Sequence, residues 1–439
     1  MKILKIILAG LIIFLSFIQS VSAQEFVPPM PSDLEKTRIS LMTVGLGEDL
    51  ASRYGHTMLR VEDPSNQLDY LVNWGIFDFS DPMFIPKFFR GILIYQMGFS
   101  STVATIRYYR NVEHRSVMED ELSLTPAQKQ KLLEKIIWNA QPENYRYPYQ
   151  YFRNNCATVP RDYLDLVTNG AIKKAFGGVE VPQTFRDYVR MNLANNPFVA
   201  WGLDVLFNSD NDHRLTKWQE MFYPLKLREY LATLPRFDDQ GNPDTRQSLL
   251  INHRVVVDLP EPPGHAIDGY FLTWIIAGLP LFVVGFVMLY GRRRGDKELP
   301  SWCFRVFGLV SIWWGCTSGF FGLSHFSGWV FSSHTDLHRN LNMLLFWPVD
   351  PLVLILGVQM GILGRKWVFS GKLKPGFWKV LAKLHLAVIP VYGLVSLSGY
   401  FVQDTTRVLI YMAPLSLLYY GTMILLTRYA EKNTLQGDG

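Results

Sequence analysis

The pattern of hydrophobic and polar positions divides the chain near residue 267. From about Gln24 to Asn242, charged and apolar residues alternate as they do in a soluble domain. From about Ile267 onward, long apolar runs are separated only by short charged loops. We therefore expect a water-facing N-terminal domain followed by a membrane-embedded C-terminal half.

Alternation of apolar and polar residues predicts a β-rich start to the N-terminal domain. The predicted strands cover Arg38–Gly47, Gly55–Asp63, Leu68–Phe79 and the stretches 101–110 and 113–124. The second and third strands are separated by the turn sequence DPSN, so we expect them to form an antiparallel pair.

Two helices are predicted after these strands. The first starts at Thr125-Pro126, an N-cap residue followed by proline, and repeats apolar residues at helical spacing between Leu132 and Ile137. The second begins near Cys156 and ends near Asn169-Gly170.

Five segments of the C-terminal half are long and apolar enough to cross a bilayer. They are Tyr270–Tyr290, Phe304–Leu323, Met343–Leu363, Leu384–Val402 and Val408–Leu426. Lysine and arginine are concentrated after the first, third and fifth segments, so the positive-inside rule places those regions in the cytoplasm. The N-terminal domain is then exported, and the C-terminus is cytoplasmic.

The N-terminus itself predicts export. Lys2 and Lys5 form a basic start, residues 6–17 are apolar, and small residues at 21–23 form a cleavage pattern typical of a signal peptide. The predicted division is a signal peptide at 1–23, a periplasmic domain with its linker at 24–266, and a transmembrane domain at 267–439.

The exported domain contains a single cysteine, Cys156. The other two, Cys303 and Cys316, belong to the second apolar segment, where an ordinary apolar role explains them. Backbone N–H groups and the dipole at a helix start favour a thiolate. His56, on an upstream strand, can act as the general base, and Asn73, on the paired strand, can orient the imidazole.

Spacing alone leaves alternatives open. His114, His213 and His253 are rival bases, and Asp78 can replace Asn73 as the orienting residue. Cys156 can also be an inert buried thiol. No metal site is predicted, because neither a second thiol nor a histidine pair accompanies the cysteine.

The motifs around these residues resemble a known family. The blocks YGHTMLRV, NWGIFDF and PENYRYPYQYFRNNCATVPRD, followed by WQEMFYP, resemble the N-terminal periplasmic domain of Lnb-type bacterial lipoprotein N-acyltransferases from about Arg38 to Pro224. The histidine-before-cysteine order resembles circularly permuted papain-like folds such as the lecithin:retinol acyltransferase group. The resemblance implies an α+β permuted papain-like (NlpC-type) domain followed by an all-α bundle of five transmembrane helices.

The resemblance also implies an activity. Cys156 is the expected nucleophile and His56 the expected base; Asn73 joins them as much by strand geometry as by motif. The implied reaction transfers an acyl chain through a cysteine thioester to the α-amine of a diacylglyceryl-cysteine lipoprotein, in the inner membrane. The acyl donor is either a phospholipid or the lipoprotein's own ester. Membrane lipids and lipoproteins are the expected partners; no nucleic acid, metal or cofactor is expected.

Two other function classes stand beside this one. A membrane-anchored papain-like amidase or peptidase uses the same residues, and an assembly or sensor protein needs Cys156 only as packing. Asn155 and Arg161 are predicted to support the site or bind substrate. His334 and His338, four residues apart, are predicted to share a helix face and to form a polar cluster facing the active site or lipid headgroups.

Overall fold

The structure is a computed structural model that describes residues 27–50, 52–77, 83, 87, 90–262, 267–294, 299–367 and 375–435. The predicted signal peptide and Asp78 lie outside the described residues. The chain divides into two compact units. The first contains the described residues within 1–88, 92–181 and 216–262, and the second contains those within 89–91, 182–215 and 263–439. Residues 182–215 are grouped with the second unit.

Apart from short 3₁₀ turns, the described residues form nine strands and thirteen helices. The strands are β1 Arg38–Val44, β2 His56–Asp63, β3 Leu68–Ile76, β4 Ile94–Ser101, β5 Val117–Leu122, β6 Arg146–Pro148, β7 Pro235–Phe237, β8 Pro243–Ser248 and β9 Leu250–Val257. The helices are α1 Thr102–Asn111, α2 Pro126–Asn139, α3 Thr158–Val167, α4 Ala171–Phe176, α5 Phe185–Asn192, α6 Pro197–Leu206, α7 Lys217–Glu220, α8 Pro224–Leu231, α9 Gly269–Arg294, α10 Ser301–Phe331, α11 Val353–Leu363, α12 Pro375–Leu397 and α13 Val408–Tyr429.

The first unit is built on an antiparallel sheet. Among the described residues, seven strands join in the order β6-β4-β3-β2-β1-β5-β9, and β7 and β8 form a separate pair. The register places Val44 opposite His56 and Met58 opposite Asn73. The predicted antiparallel pairing of the second and third strands is therefore confirmed.

The two faces of this sheet bury different apolar clusters, as the alternation along the strands predicts. The smaller cluster packs Met42, Val44, Met58 and Leu71 against Tyr109 of α1. The larger cluster joins the opposite face to α2, α3 and α8. Its sheet residues include Ile39, Leu41, Leu59, Val61, Val72 and Trp74.

Helix α1 corrects one prediction. The stretch 101–110 was expected to be a strand, but it forms a helix whose N-cap is Ser101, with the Ser101 hydroxyl accepting from the N–H of Ala104. Ile106 and Tyr109 lie three residues apart and pack into the smaller cluster, so the residues follow a helical period. The predicted strand within 113–124 is confirmed as β5, and the predicted helices are confirmed as α2, with a Thr125–Gln128 capping box, and α3.

The second unit contains membrane-spanning candidates. Among the described residues, α9, α10, α12 and α13 are long and apolar enough to cross a bilayer. The predicted segment 343–363 is not one continuous helix, so a fifth span is not confirmed. It consists of the short turns Leu341–Leu344 and Asp350–Leu352 followed by the eleven residues of α11. Eleven helical residues cover about 16 Å, roughly half of a hydrocarbon core.

Proline explains the break, and hydrogen bonds stabilise it. Pro348 and Pro351 lack the backbone N–H that a continuous helix needs. Asp350 is fully buried, accepts from the N–H of Trp347 at 2.9 Å, and lies 3.0 Å from Nε2 of His385. Non-helical backbone within a membrane requires such internal partners.

Residues 182–215 pack into the second unit through buried charges. Arg186 is 1% exposed and pairs with Asp204 at 3.2 Å and with Asp212. Arg190 also binds Asp204, and pairs with Asp404 in the loop before α13 at 2.8 Å. Because a buried charge is costly without a partner, these pairs hold the insertion in one arrangement.

Candidate active site

The first unit contains a cavity of about 130 Å³ where β2 begins and β3 ends. Cys156 and His56 both line it. The rest of its wall is largely aromatic. The aromatic residues are Tyr54, Trp74, Phe77, Tyr95, Tyr149, Tyr151 and Phe222.

Asn155 fixes the position of Cys156 at the start of α3. Its side-chain oxygen accepts from the N–H groups of Ala157 and Thr158, both at 2.9 Å. The N-cap residue itself is Ala157, whose side chain makes no capping bond, so Asn155 serves as the cap from two residues earlier. The first N–H groups of a helix need such an acceptor because they have no partner within the helix. The predicted placement of Cys156 at a helix start is thus confirmed, two residues before the first helical residue.

Asn155 and Arg161, which were predicted to support the site or bind substrate, both make hydrogen bonds within the fold. The amide nitrogen of Asn155 donates to the carbonyls of Tyr151 and Phe222, both at 2.9 Å, so its two N–H groups are already used. Arg161 donates to the carbonyl of Trp218 at 2.8 Å and lies 4.0 Å from the centre of its ring. Asn155 lines the cavity as a support of Cys156, whereas Arg161 anchors α3 to the segment that contains Trp218.

Gly75 brings the strand backbone close to the cysteine. Its φ is +86°, a conformation that glycine adopts without strain. A Cβ atom at this position would lie 3.6 Å from Cβ of Cys156 and 3.6 Å from Cε2 of Tyr149. The Tyr149 ring, stacked on Tyr95 with ring centres 4.1 Å apart, is therefore a rigid wall beside Cys156.

A chain of hydrogen bonds orients His56. Its Nε2 lies 3.2 Å from Oδ1 of Asn73, whose amide nitrogen donates to the Ser100 hydroxyl at 3.0 Å. The Thr105 hydroxyl donates to Ser100, also at 3.0 Å. With the amide nitrogen of Asn73 donating to Ser100, Oδ1 of Asn73 faces the ring, and we assign the proton of His56 to Nε2 on this basis. Nδ1 then keeps the lone pair that a general base needs.

Burial makes both reactive groups neutral at rest. It raises the pKa of Cys156 to about 11, although hydrogen bonding to the backbone at Thr57 and the positive charge of Arg115 act in the opposite direction. Burial, together with the positive charge of Arg115, lowers the pKa of His56 to about 4, whereas the hydrogen bond to Asn73 acts in the opposite direction. Near neutral pH the cavity therefore contains a neutral thiol and a neutral imidazole.

The rival histidines lie elsewhere. Among the described residues of the first unit, neither His114 nor His253 lines the cavity, and His253 instead bonds Asp120 at 2.9 Å. His213 belongs to the second unit. His56 is therefore the histidine that the fold brings into one cavity with the cysteine.

His334 and His338 do not form the predicted helix face. They flank a three-residue 3₁₀ turn, Thr335–Leu337, in the second unit. Nε2 of His338 lies 2.9 Å from the Ser332 carbonyl, and the amide of Asn208 donates to the carbonyl of His338 at 2.8 Å. This geometry ties the turn to the insertion 182–215.

Comparison with known proteins supports the predicted resemblance. Residues 30–190 match the family model described as the Lnb N-terminal periplasmic domain, a range that contains His56, Asn73 and Cys156. No curated protein and no solved structure gives a significant match. The family match and the four apolar helices of the described residues indicate a multi-pass membrane protein with an N-terminal periplasmic domain.

Proposed function

We propose that this protein is a lipoprotein N-acyltransferase of the bacterial inner membrane that works through a thioester on Cys156. The observation that carries this proposal is the shared cavity of Cys156 and His56, with His56 held by Asn73. The resemblance to Lnb-type enzymes supports a lipoprotein as acceptor, and the four apolar helices of the described residues support a site at a membrane, where lipids and lipoproteins occur together.

The first half of the reaction charges the cysteine. As the sulfur of Cys156 attacks the carbonyl carbon of an acyl ester, Nδ1 of His56 takes the thiol proton. The C–O bond of the ester then breaks, and the imidazolium returns the proton to the leaving alkoxide. The products are an acyl thioester on the enzyme and a lyso compound.

The second half transfers the acyl chain to nitrogen. The α-amine of the diacylglyceryl-cysteine attacks the thioester carbonyl while His56 accepts a proton from the amine. The C–N bond forms, the C–S bond breaks, and His56 returns the proton to the thiolate of Cys156. An amide and the original thiol result, so no additional reactant is required.

The cavity wall favours an amine over water as the second nucleophile. Seven aromatic side chains surround a space of about 130 Å³, which is below the roughly 300 Å³ of a typical pocket for a whole small ligand. This volume suits the reacting ends of the two substrates. A largely apolar wall also limits the water that would hydrolyse the thioester.

Trapping the thioester tests this proposal. The full-length protein in detergent, incubated with phospholipid, is expected to gain the mass of one acyl chain on the peptide that contains Cys156, and neutral hydroxylamine is expected to remove it. Addition of a diacylglyceryl-cysteine peptide should discharge the enzyme and yield the N-acylated peptide.

The matched variants are Cys156→Ala, which should form no adduct, and Cys316→Ser, which removes an exposed cysteine of the second unit and should behave like the wild type. A lyso product without any N-acylated peptide would indicate a hydrolase instead. An adduct that persists in Cys156→Ala would contradict the assignment of the nucleophile.

A further inference from the structure

Arg115 is a buried cation that sequence analysis did not single out. Its side chain is 4% exposed. Nε donates to the Gly45 carbonyl at 2.9 Å, and Nη1 pairs with the Glu113 carboxylate at 2.7 Å. Nη2 is buried without a hydrogen-bond partner among the described residues. The guanidinium is therefore held firmly, but its charge is only partly compensated.

The backbone places this charge near the end of the sheet where β1 ends and β2 begins. Gly45 directly follows Val44, which lies opposite His56 on the β1–β2 ladder. A Cβ atom on Gly55, next to His56, would lie 2.8 Å from the carbonyl oxygen of Val44. The guanidinium of Arg115 is thus about one strand spacing and one or two residues away from His56 and Cys156. This corresponds to a distance on the order of 10 Å.

We propose that Arg115 is a positioning residue that supports negative charge on the sulfur of Cys156. This inference rests on the proposed cysteine–histidine chemistry.

Other charges around Arg115 tune this effect. Its guanidinium carbon lies 5.3 Å from the centre of the Tyr109 ring. Glu113 is its ion-pair partner, and its positive charge also acts on the pKa of each of Tyr108, Tyr109, His56 and Cys156. Glu113 is the carboxylate paired with Arg115, so removing it should strengthen the field of Arg115 at the cysteine.

The expected magnitude is measurable. A unit charge on the order of 10 Å away, at an effective dielectric constant of about 20, shifts an ionisation equilibrium roughly tenfold. The thiolate fraction of Cys156, and with it the rate of alkylation, should change by about that factor.

Alkylation of Cys156 by iodoacetamide provides the test, with the full-length protein in detergent between pH 6 and 10 and the modified peptide quantified by mass spectrometry. Arg115→Met should slow the reaction about tenfold at a given pH, and Arg115→Lys should restore most of the rate. Glu113→Gln should accelerate it. Arg254→Met, which removes an exposed arginine from β9, is the control for net charge and should leave the rate unchanged.

The sign of the change separates this role from a structural one. If Arg115 only held the fold together, its loss would loosen the cavity and speed alkylation, and this result would overturn the proposal. If the Arg115→Met variant does not fold, the Glu113→Gln variant is the test. An unchanged alkylation rate in Glu113→Gln would also overturn the proposal. Alkylation requires no acyl transfer. A shifted rate in a protein that forms no thioester would therefore reject the proposed function and retain the role of Arg115.

Discussion

Raising the pH changes the candidate active site by ionising the thiol of Cys156. With a pKa of about 11, the thiolate fraction at pH 7 is roughly 1 in 10,000. An ordinary cysteine with a pKa near 8.5 has about 3% thiolate at the same pH. Ionisation alone should therefore make Cys156 about 300-fold less reactive toward an alkylating reagent than an unfolded cysteine.

The assay is the alkylation rate of Cys156 between pH 6 and 10, with the protein unfolded in SDS as the reference. We expect the native rate to rise about tenfold for each pH unit without a plateau, since the thiolate fraction rises in that proportion below the pKa. The unfolded reference should level off near pH 9. His56→Ala should leave the native slope unchanged, because a neutral imidazole contributes no charge to the resting thiol.

A plateau of high reactivity at pH 5–8 that disappears in His56→Ala would refute this reasoning, since it would reveal a thiolate–imidazolium pair in the resting enzyme. The sign for catalysis follows from the same groups. His56 must be neutral to accept a proton, so activity should be lost as the pH falls toward the His56 pKa of about 4. Between pH 6 and 9 the ionisation of neither group should limit turnover.

Three substitutions test the supports of the site and of the membrane unit. Asn73→Ala should lower kcat about 10-fold to 100-fold with little change in KM, because His56 loses the partner that fixes its tautomer; steady-state kinetics would measure this, and an unchanged kcat would contradict it. Asn155→Ala should lower the free energy of unfolding by about 0.5–2 kcal/mol through loss of the helix cap, seen as a lower unfolding temperature. His385→Phe should lower the free energy of unfolding by about 3–5 kcal/mol, because the buried carboxylate of Asp350 loses its contact with the imidazole. Adding Asp350→Asn to that variant should recover part of the lost stability, as measured by unfolding in detergent.

Local sequence patterns predicted the parts of the site that depend on neighbouring residues. Cys156 was placed at a helix start, and His56 and Asn73 on paired strands, because capping and alternation are local signals. Ser100 and Arg115 were missed because they lie on β4 and just before β5, whose places in the sheet depend on long-range pairing. The expected strand at 101–110 was wrong because short apolar runs fit both the helical and the strand period.

Hydropathy overestimated the continuity of the membrane segments for a related physical reason. A sliding window averages apolarity, whereas a single proline changes the backbone without changing that average. Pro348 and Pro351 interrupt an otherwise apolar run. The buried Asp350 between them accepts from the nearby N–H of Trp347 and also contacts His385, which lies 35 residues away in the sequence. The glycines of α10 allow this close approach, since a Cβ on Gly322 would lie 2.2 Å from the carbonyl oxygen of Trp347.

The first unit is also discontinuous in sequence, and this determines which parts of the chain form the cavity. The family match ends at residue 190, yet the wall includes Phe222 and Pro224, and the carbonyl of Phe222 accepts from the Asn155 amide that holds Cys156. Strand β9 forms the edge of the sheet and pairs with β5, the strand that begins two residues after Arg115. A fragment ending at 190 therefore lacks part of the cavity wall, one anchor of the nucleophile and an edge of the sheet. Residues 182–215 belong to the second unit. The chain therefore leaves the first unit after residue 181 and returns to it at residue 216, before the residues that complete the cavity wall.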